Sequence, residues 1–510
     1  MAPETVLLIQ EWLKDCNGSH EVCSRDMKGS LRPEIPPLPT RVVDLGPPDG
    51  CICPRLIIPN GACGNYVALS HRWSEVPHLM TRTTNLEELQ AEIPWGDMPE
   101  TLQDACTVTK ALGIRYIWID CLFIVQDSIV DWEQEAQKMG AFYERAYVKI
   151  AATGAETGSD SFMAARATRD LEVLCDQNAP EKGTCFLAEL CTPHPQHHVE
   201  NAPLNRRGWV LQELLLSCRV LHFAKDQIYW ECSHHAVAQN GAVFQPRNTV
   251  DFVFPLTGLM KKLRSVHQSK RTADTDPAFL QAWLTIIEHY SACRFTDTDR
   301  LLAILGLADR LGPLTTRTYI NRNWFLPGTS EIPSSLLWTT CGTAKHRQLT
   351  PARAVSWSWA SIEEVVSFHN LRYKIEAQLL SVRTPSVMGN FEELLIRGSL
   401  LTVAVDLGDT DALVQGKVLQ LLKKQIKSTL KGRAPRSIGH IAFDLESLLA
   451  GEVVCLYLFT GFTGYPVFVG LREVASSGEV GPARYRRVGI GSLLQGWRHT
   501  FKEVTEIILV

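Results

Sequence analysis

The chain has 510 residues, of which 45% are hydrophobic and 21% are charged, so it has globular composition and the length of two or three domains. Its 51 basic and 55 acidic residues give a formal net charge of -4, which disfavours nucleic acid and membrane surfaces as partners. The 15 cysteines are too sparse for a disulfide framework, so we expect reduced thiols and a cytoplasmic location.

Residues 1–60 are predicted to form a lead-in with one short helix and a Pro-rich stretch. No signal peptide is expected at the N-terminus, and no apolar run is long enough for a transmembrane helix. The segment carries possible zinc ligands at Cys16, His20, Cys23, Cys51 and Cys53. Their C-x3-H-x2-C and C-x-C spacings differ from the usual zinc patterns, so ordinary packing is favoured and no metal site is predicted.

The segment from 61 to 240 alternates short apolar strands with amphipathic helices. YVALS, IRYIWI and YVKIAA are predicted strands, and MPETLQDACTVTKALG and SIVDWEQEAQKMGAFYERA are predicted helices between them. RVLHF and QIYWEC add two further strands. This order predicts an α/β domain with a parallel sheet flanked by helices.

The remaining chain changes character twice. Residues 241–365 are predicted to be a helical region packed on the α/β domain, with SWSWAS near its end as a strand or turn. Residues 366–510 hold several strand-like segments separated by turn signals, which predicts a β-rich C-terminal region.

Polar residues follow two of the predicted strands. Ser70, His71 and Arg72 end the first strand, and Asp120 ends the second, where open α/β sheets bind ligands. Asp120 is expected to pair with Arg72 or His71, or to cap the following turn. Ser70 and His71 cannot form a catalytic dyad because consecutive strand residues point to opposite faces. His71 is either a general acid or base or a hydrogen-bonded structural residue.

Three ordered blocks, YVALSHRW, GIRYIWIDCLFIVQD and RRGWVLQELLLSCRVLHF, together with DWEQEAQKMGAFYERAYVKIAA, resemble the fungal heterokaryon-incompatibility (HET) domain. The resemblance covers about residues 60–232. It implies an intracellular fungal protein with a domain similar to the Toll/interleukin-receptor (TIR) fold, acting in non-self recognition and cell death. Phe123 stands where the family commonly has a cysteine, so no thiol chemistry is carried onto that position.

Several TIR-like domains cleave NAD with a glutamate in a W-C-x-x-E-L motif. WVLQEL places Trp209 and Glu213 at that spacing, on one face of a helix, with Val210 in place of the cysteine. An indole beside a carboxylate suits a nicotinamide-ribosyl cation. In the alternative, Trp209 is core and Glu213 pairs with Arg207 or Arg219.

The resemblance and the strand ends together give the candidate site. The predicted catalytic residues are Glu213, His71 and Asp120. The predicted substrate-binding residues are Ser70, Arg72, Trp73, Cys121, Arg207, Trp209 and Gln212.

Three functions remain open at this point. The chain is a HET-type effector that cleaves NAD or a related nucleotide, an acid–base enzyme of fungal small-molecule metabolism, or a non-catalytic interaction module. NAD is considered only as a substrate and no cofactor is assigned. A small-molecule or nucleotide ligand, a protein partner and self-association are all compatible with the sequence.

Overall fold

The computed structural model describes most of the chain, with gaps. The described residues are 1–26, 29–47, 49–73, 79–163, 196–244, 276–295, 300–340, 354–362, 364–368, 375–383, 393–405, 418–422, 437–443, 451–460, 465–474, 482–493 and 503–510. The chain divides into two compact units. The first contains Met1–Lys270 and Cys293–Leu314, and the second contains Arg271–Ala292 and Thr315–Val510.

The first unit is built on a nine-stranded mixed sheet in the order β2-β1-β4-β3-β5-β6-β7-β8-β9. Its strands are β1 (Val42–Asp44), β2 (Arg55–Ile57), β3 (Tyr66–Ser70), β4 (Tyr116–Trp118), β5 (Val148–Ala151), β6 (Arg219–Phe223), β7 (Ile228–Cys232), β8 (Ala236–Ala238) and β9 (Val243–Phe244).

The four central strands, β4, β3, β5 and β6, are mutually parallel. This confirms the predicted α/β class and the prediction that the first three predicted strands share one sheet. The flanking strands are antiparallel, and β1 and β2 come from the predicted lead-in, where β1 pairs with β4.

Helices cover both faces of this sheet. They are α1 (Pro3–Ser19), α2 (Leu86–Ala91), α3 (Glu100–Ala111), α4 (Asp120–Phe123), α5 (Ile129–Ala136), α6 (Met139–Arg145), α7 (Gly208–Leu216) and α9 (Arg300–Leu311), whereas α8 (Asp276–Ser291) belongs to the second unit. One helix was predicted over 128–146, but α5 and α6 are separate. Ile129 exposes 76% of its surface, whereas α6 is buried over residues 139–144, so one straight helix could not satisfy both segments.

The two faces of the sheet differ in chemistry. On one face an apolar cluster packs Val67, Leu69 and Ile150 against α1 and α3. The other face carries Tyr66, Ala68 and Trp118, which pack against α6. Because side chains alternate along a strand, Ser70 and Lys149 also lie on the α6 side of the sheet.

The second unit contains α8 (Asp276–Ser291) and β-structure. Its short strands are β10 (Thr318–Ile320), β11 (Asn323–Phe325), β12 (Trp338–Thr340) and β13 (Val366–Phe368). The longer strands form an eight-stranded sheet of β14 (Gln378–Arg383), β15 (Glu393–Val405), β16 (Val418–Leu422), β17 (Ser437–Phe443), β18 (Gly451–Thr460), β19 (Pro466–Glu473), β20 (Ala483–Leu493) and β21 (Glu503–Leu509).

This sheet confirms the predicted β-rich C-terminal region. The predicted helical region contains helices α8 and α9, but residues 318–340 form β10, β11 and β12 instead. SWSWAS is a turn that ends in a short 3-10 helix at Trp359–Ser361, and its buried Trp357 and Trp359 explain the aromatic pattern. Within the described part of the chain, no helix is long and apolar enough to cross a membrane.

Candidate functional site

The carboxyl end of β3 opens the candidate site. Ser70 is the last residue of β3 and is buried, as is His71 immediately after it. Arg72 is half-buried, and Trp73 exposes 37% of its surface. The chain therefore passes from core to solvent within four residues, at the edge where parallel sheets place their ligand contacts.

Asp120 joins this segment to the end of β4. Its Oδ2 accepts a hydrogen bond from the Trp73 indole N–H at 2.8 Å, and its Oδ1 lies 3.6 Å from His71 Nδ1. Oδ1 also accepts the backbone N–H of Cys121 at 2.8 Å, at the start of α4. Asp120 therefore makes the predicted pair with His71, and it bonds one backbone N–H of the next turn without capping α4. Among the described contacts it makes no pair with Arg72.

The corner has three atoms that could ligate a metal, on His71, Asp120 and Cys121, all within 4.8 Å of one another. Burial and the neighbouring Asp120 raise the pKa of the Cys121 thiol well above its ordinary value. Both oxygens of Asp120 already accept hydrogen bonds, from the Trp73 indole and from the Cys121 backbone N–H, so this corner is arranged for hydrogen bonding.

The glycine of the RRGW block, Gly208, allows the start of α7 to pack closely against Phe295. A Cβ on Gly208 would lie 1.7 Å from Cε1 of Phe295, so only glycine permits this close approach. The Gly208 backbone N–H donates to the Arg294 carbonyl at 3.3 Å. Arg207, immediately before α7, donates from its guanidinium to the His71 carbonyl at 2.6 Å. The start of α7 is thus tied to the segment that follows β3.

Glu213 on α7 is buried, with 5% of its surface exposed. Desolvation raises the pKa of its carboxyl group, and the nearby negative charge of Asp120 raises it further. The Lys149 ammonium, the Ser70 hydroxyl and the Arg207 guanidinium act in the opposite direction. The structure therefore brings Glu213 into electrostatic contact with the predicted residues Ser70, Asp120 and Arg207.

Lys149 is the main charged partner of Glu213, a role that no sequence pattern predicted. It lies in β5 with no exposed surface, and its Nζ makes no hydrogen bond to the described residues. Burial lowers the pKa of Lys149 to about 8, although the charges of Glu213 and Glu231 favour the protonated form. A buried lysine whose pKa lies close to neutral pH, beside a carboxylate, is typical of functional sites.

Tyr143 on α6 lies next to Lys149 and Glu213, on the α6 side of the sheet. Its hydroxyl donates to the Leu69 carbonyl at 3.1 Å, and its ring centroid lies 5.9 Å from Lys149 Nζ. Desolvation, followed by the Glu213 charge, raises the pKa of the phenol well above its ordinary value. Tyr143 therefore stays protonated and acts as a hydrogen-bond donor.

A second buried pair extends the polar cluster toward β7. His222 Nε2 lies 3.2 Å from Glu231 Oε2, and both residues are buried. Desolvation lowers the pKa of His222, and the Lys149 charge lowers it slightly more, against the effect of Glu231. The sequence placed both residues in apolar strands, and only the pairing of β5, β6 and β7 shows that they belong to the cluster.

Two predicted substrate-binding residues lie elsewhere on α7. Trp209 packs against the aromatic core cluster around Trp118 and Tyr143. Gln212 is buried between α6 and α9, where a Cβ on Gly306 would lie 2.5 Å from its Nε2. Trp209 therefore packs against the core, as the interpretation without catalysis predicts. Arg219, the other alternative partner of Glu213, donates instead to Asn17 Oδ1 at 2.6 Å.

A cavity of about 680 Å³ lies at the opposite end of the parallel strands. It is lined by Asn65 and Tyr147, which precede β3 and β5, and by Arg32, Arg145 and Arg310 among others. None of the candidate site residues lines it. Among the described residues, therefore, this cavity does not mark the candidate site.

These features define an α/β domain whose parallel strands end at a buried cluster of acid–base side chains. Residues 66–213 match the family model described as heterokaryon incompatibility protein (HET), so the chain carries a HET domain over this range. The match begins at the first residue of β3 and ends at Glu213. No curated protein and no solved structure matches the chain, and the likeness to the TIR fold stays a prediction.

Proposed function

We propose that the chain is a fungal effector of heterokaryon incompatibility, and that its HET domain cleaves the nicotinamide–ribose bond of NAD or a related nucleotide. The family match supports the incompatibility role. A cytoplasmic location is part of the proposal and rests on the sparse cysteines and on the sequence resemblance.

The observation that carries the enzymatic part is the position of Glu213. Its carboxylate lies in a buried cluster with Lys149, Ser70 and Asp120, and several charges compete to set its pKa. Burial combined with specific charge partners is the pattern that catalytic carboxylates show.

The chemistry follows from charge development at the ribose. When the C1′–N bond breaks, its electron pair goes to the pyridinium nitrogen and nicotinamide leaves as a neutral molecule. The ribosyl group becomes cationic, and the Glu213 carboxylate stabilises that charge. Water then forms the new C1′–O bond, and the His71–Asp120 pair accepts its proton. Arg72 or Arg207 would bind the diphosphate.

The burial of Glu213 implies that activity is latent. Glu213 exposes 5% of its surface, and Arg207 holds the segment after β3 against α7 through the His71 carbonyl. A nucleotide can reach Glu213 only after this segment moves. Self-association of the full chain is the event we expect to open the site.

The test measures nicotinamide release from NAD by the full chain over a range of protein concentrations. Glu213→Gln should lower the rate by about 100- to 1000-fold, because it removes a key electrostatic group while keeping the shape. Glu135→Gln is the matched control, since Glu135 is also buried but lies on α5 and pairs with Lys138. Unchanged turnover in Glu213→Gln would exclude this residue as the catalyst.

The burial of Glu213 also favours a second candidate, a non-catalytic interaction module in which the cluster only stabilises the fold. In that case the wild-type chain releases no nicotinamide at any concentration. The acid–base enzyme of small-molecule metabolism stays a prediction from the sequence, and it would be tested next after that result.

A further inference from the structure

A cluster of four potential metal ligands lies on the opposite face of the sheet from Glu213. Cys16 is in the last turn of α1, His20 follows that helix, and Cys23 lies in the 3-10 turn Glu21–Ser24. Cys232 is the last residue of β7. All four residues are buried, and their ligand atoms lie within 4.8 Å of one another. These four residues form the Cys3His cluster.

The donor set fits one metal. Three sulfurs and one imidazole in a tetrahedral arrangement are typical of structural zinc sites, with Zn–S of about 2.3 Å and Zn–N of about 2.0 Å. Those bond lengths place neighbouring ligand atoms about 3.5–3.8 Å apart in a tetrahedron. His20 Nδ1 lies 3.5 Å from Cys232 Sγ, which is such an edge.

The surroundings also fit a metal-bound histidine. With Nδ1 facing the sulfurs, the other ring nitrogen of His20 lies 3.4 Å from the Asp15 carboxylate. A carboxylate on the second nitrogen is the usual partner that orients a zinc-ligating imidazole.

The net charge of a zinc-loaded cluster would also be balanced by neighbouring groups. Three thiolates, one neutral histidine and Zn²⁺ together carry one negative charge. The Arg219 guanidinium donates to Cys16 Sγ at 3.2 Å and supplies the compensating positive charge. The His234 backbone N–H lies 3.4 Å from Cys232 Sγ and adds a further donor.

We propose that the Cys3His cluster binds one structural zinc ion. All four positions are supplied by protein side chains, so the site is closed and has no open coordination position for chemistry. It would join the end of α1 to β7, which lie more than 200 residues apart along the chain, and so hold the N-terminal segment on the sheet.

The first test is made on the wild-type full chain, purified under reducing conditions and loaded with Zn²⁺. We expect one tightly bound zinc per chain by elemental analysis. X-ray absorption at the zinc edge should show three sulfur neighbours at about 2.3 Å and one nitrogen at about 2.0 Å. A chain that binds no zinc, that holds a disulfide among these cysteines instead, or that binds zinc only through oxygen and nitrogen would overturn the proposal.

The second test assigns the ligands. Cys232→Ser should lose its zinc to a chelator concentration that leaves the wild type loaded. Cys106→Ser is the matched control, because Cys106 is a buried thiol of α3 outside the cluster, and it should keep its zinc. Retention of zinc by Cys232→Ser would contradict the assignment.

Because a ligand variant can also fail to fold, Asp15→Asn provides an independent measurement. The Asp15 side chain is 52% exposed, so its replacement should leave the fold intact. Loss of an outer partner typically weakens metal affinity by about 10- to 100-fold. An unchanged zinc affinity in Asp15→Asn would refute the geometry proposed for His20.

Discussion

Replacing the buried Lys149 by methionine should stabilise the first unit at neutral pH. Burial holds the pKa of Lys149 at about 8, below its ordinary 10.5, so the protonated form is disfavoured in the folded chain. At 1.36 kcal/mol for each pKa unit, this difference corresponds to about 3 kcal/mol below pH 8. Methionine carries no proton and removes that cost.

The sign of the pH dependence follows from the same two values. Between pH 8 and 10.5 the unfolded chain binds a proton at Lys149 that the folded chain does not, so the stability of the wild type rises with pH. The advantage of Lys149→Met should therefore be largest below pH 8 and disappear toward pH 10.5.

Glu213 complicates the comparison, since the Lys149 charge lowers the pKa of its carboxyl group. Lys149→Met should for this reason be made both in the wild type and in Glu213→Gln. In the Glu213→Gln background no carboxylate at that position loses its partner, so the gain should be at least as large. Lys225→Met serves as the control because Lys225 is exposed, and it should show little effect at any pH.

The assay is denaturant unfolding at pH 7 and pH 10, followed by circular dichroism. Hydrogen exchange of peptides from β3 to β6 assigns the transition to the first unit. A gain of equal size at both pH values would refute the reasoning, because it would come from packing and not from the proton. So would a loss of stability at pH 7 in both backgrounds.

Two further substitutions test packing in the two units. Gly208→Ala should destabilise the first unit by about 1–3 kcal/mol, because the new Cβ would collide with the Phe295 ring; Gly18→Ala, with open space around it, is the control in the same denaturation assay. Arg487→Lys should lower the stability of the second unit by about 2–3 kcal/mol, since the buried guanidinium donates to backbone carbonyls and lies 3.7 Å from the Trp338 ring centroid. Hydrogen exchange should localise this loss to the second unit, and a loss shared by the first unit would contradict it.

The sequence was sufficient where local pattern determines structure. Continuous apolar runs identified β3, β4 and β5, and a polar residue at the end of a strand identified His71 and Asp120 as neighbours. An apolar pattern of helical spacing could not show that α5 and α6 are separate helices. The break between them depends on how much of each helix packs against the sheet.

The site residues that were not predicted from the sequence are those whose roles depend on contacts between distant segments. Lys149 looked like an ordinary polar residue in a strand, and its role appears only when α7 places Glu213 above β5. Cys232 similarly meets Cys16 and Cys23 only through the fold, whereas Cys51 and Cys53, which the sequence grouped with them, are exposed. Pairings of this kind carry no periodic signal in a single sequence.

The segment that matches the family model is shorter than the unit that folds, because β1 and β2 lie outside the match and still belong to the sheet. The family match starts at Tyr66, yet β4 has a neighbour on its outer side only because residues 42–44 pair with it. A fragment cut at the match boundaries would expose that edge of the sheet and would end in the middle of α7. Such a piece would be prone to edge-to-edge association, so grafting or transplanting this domain requires the upstream strands and the downstream β6 and β7 as well.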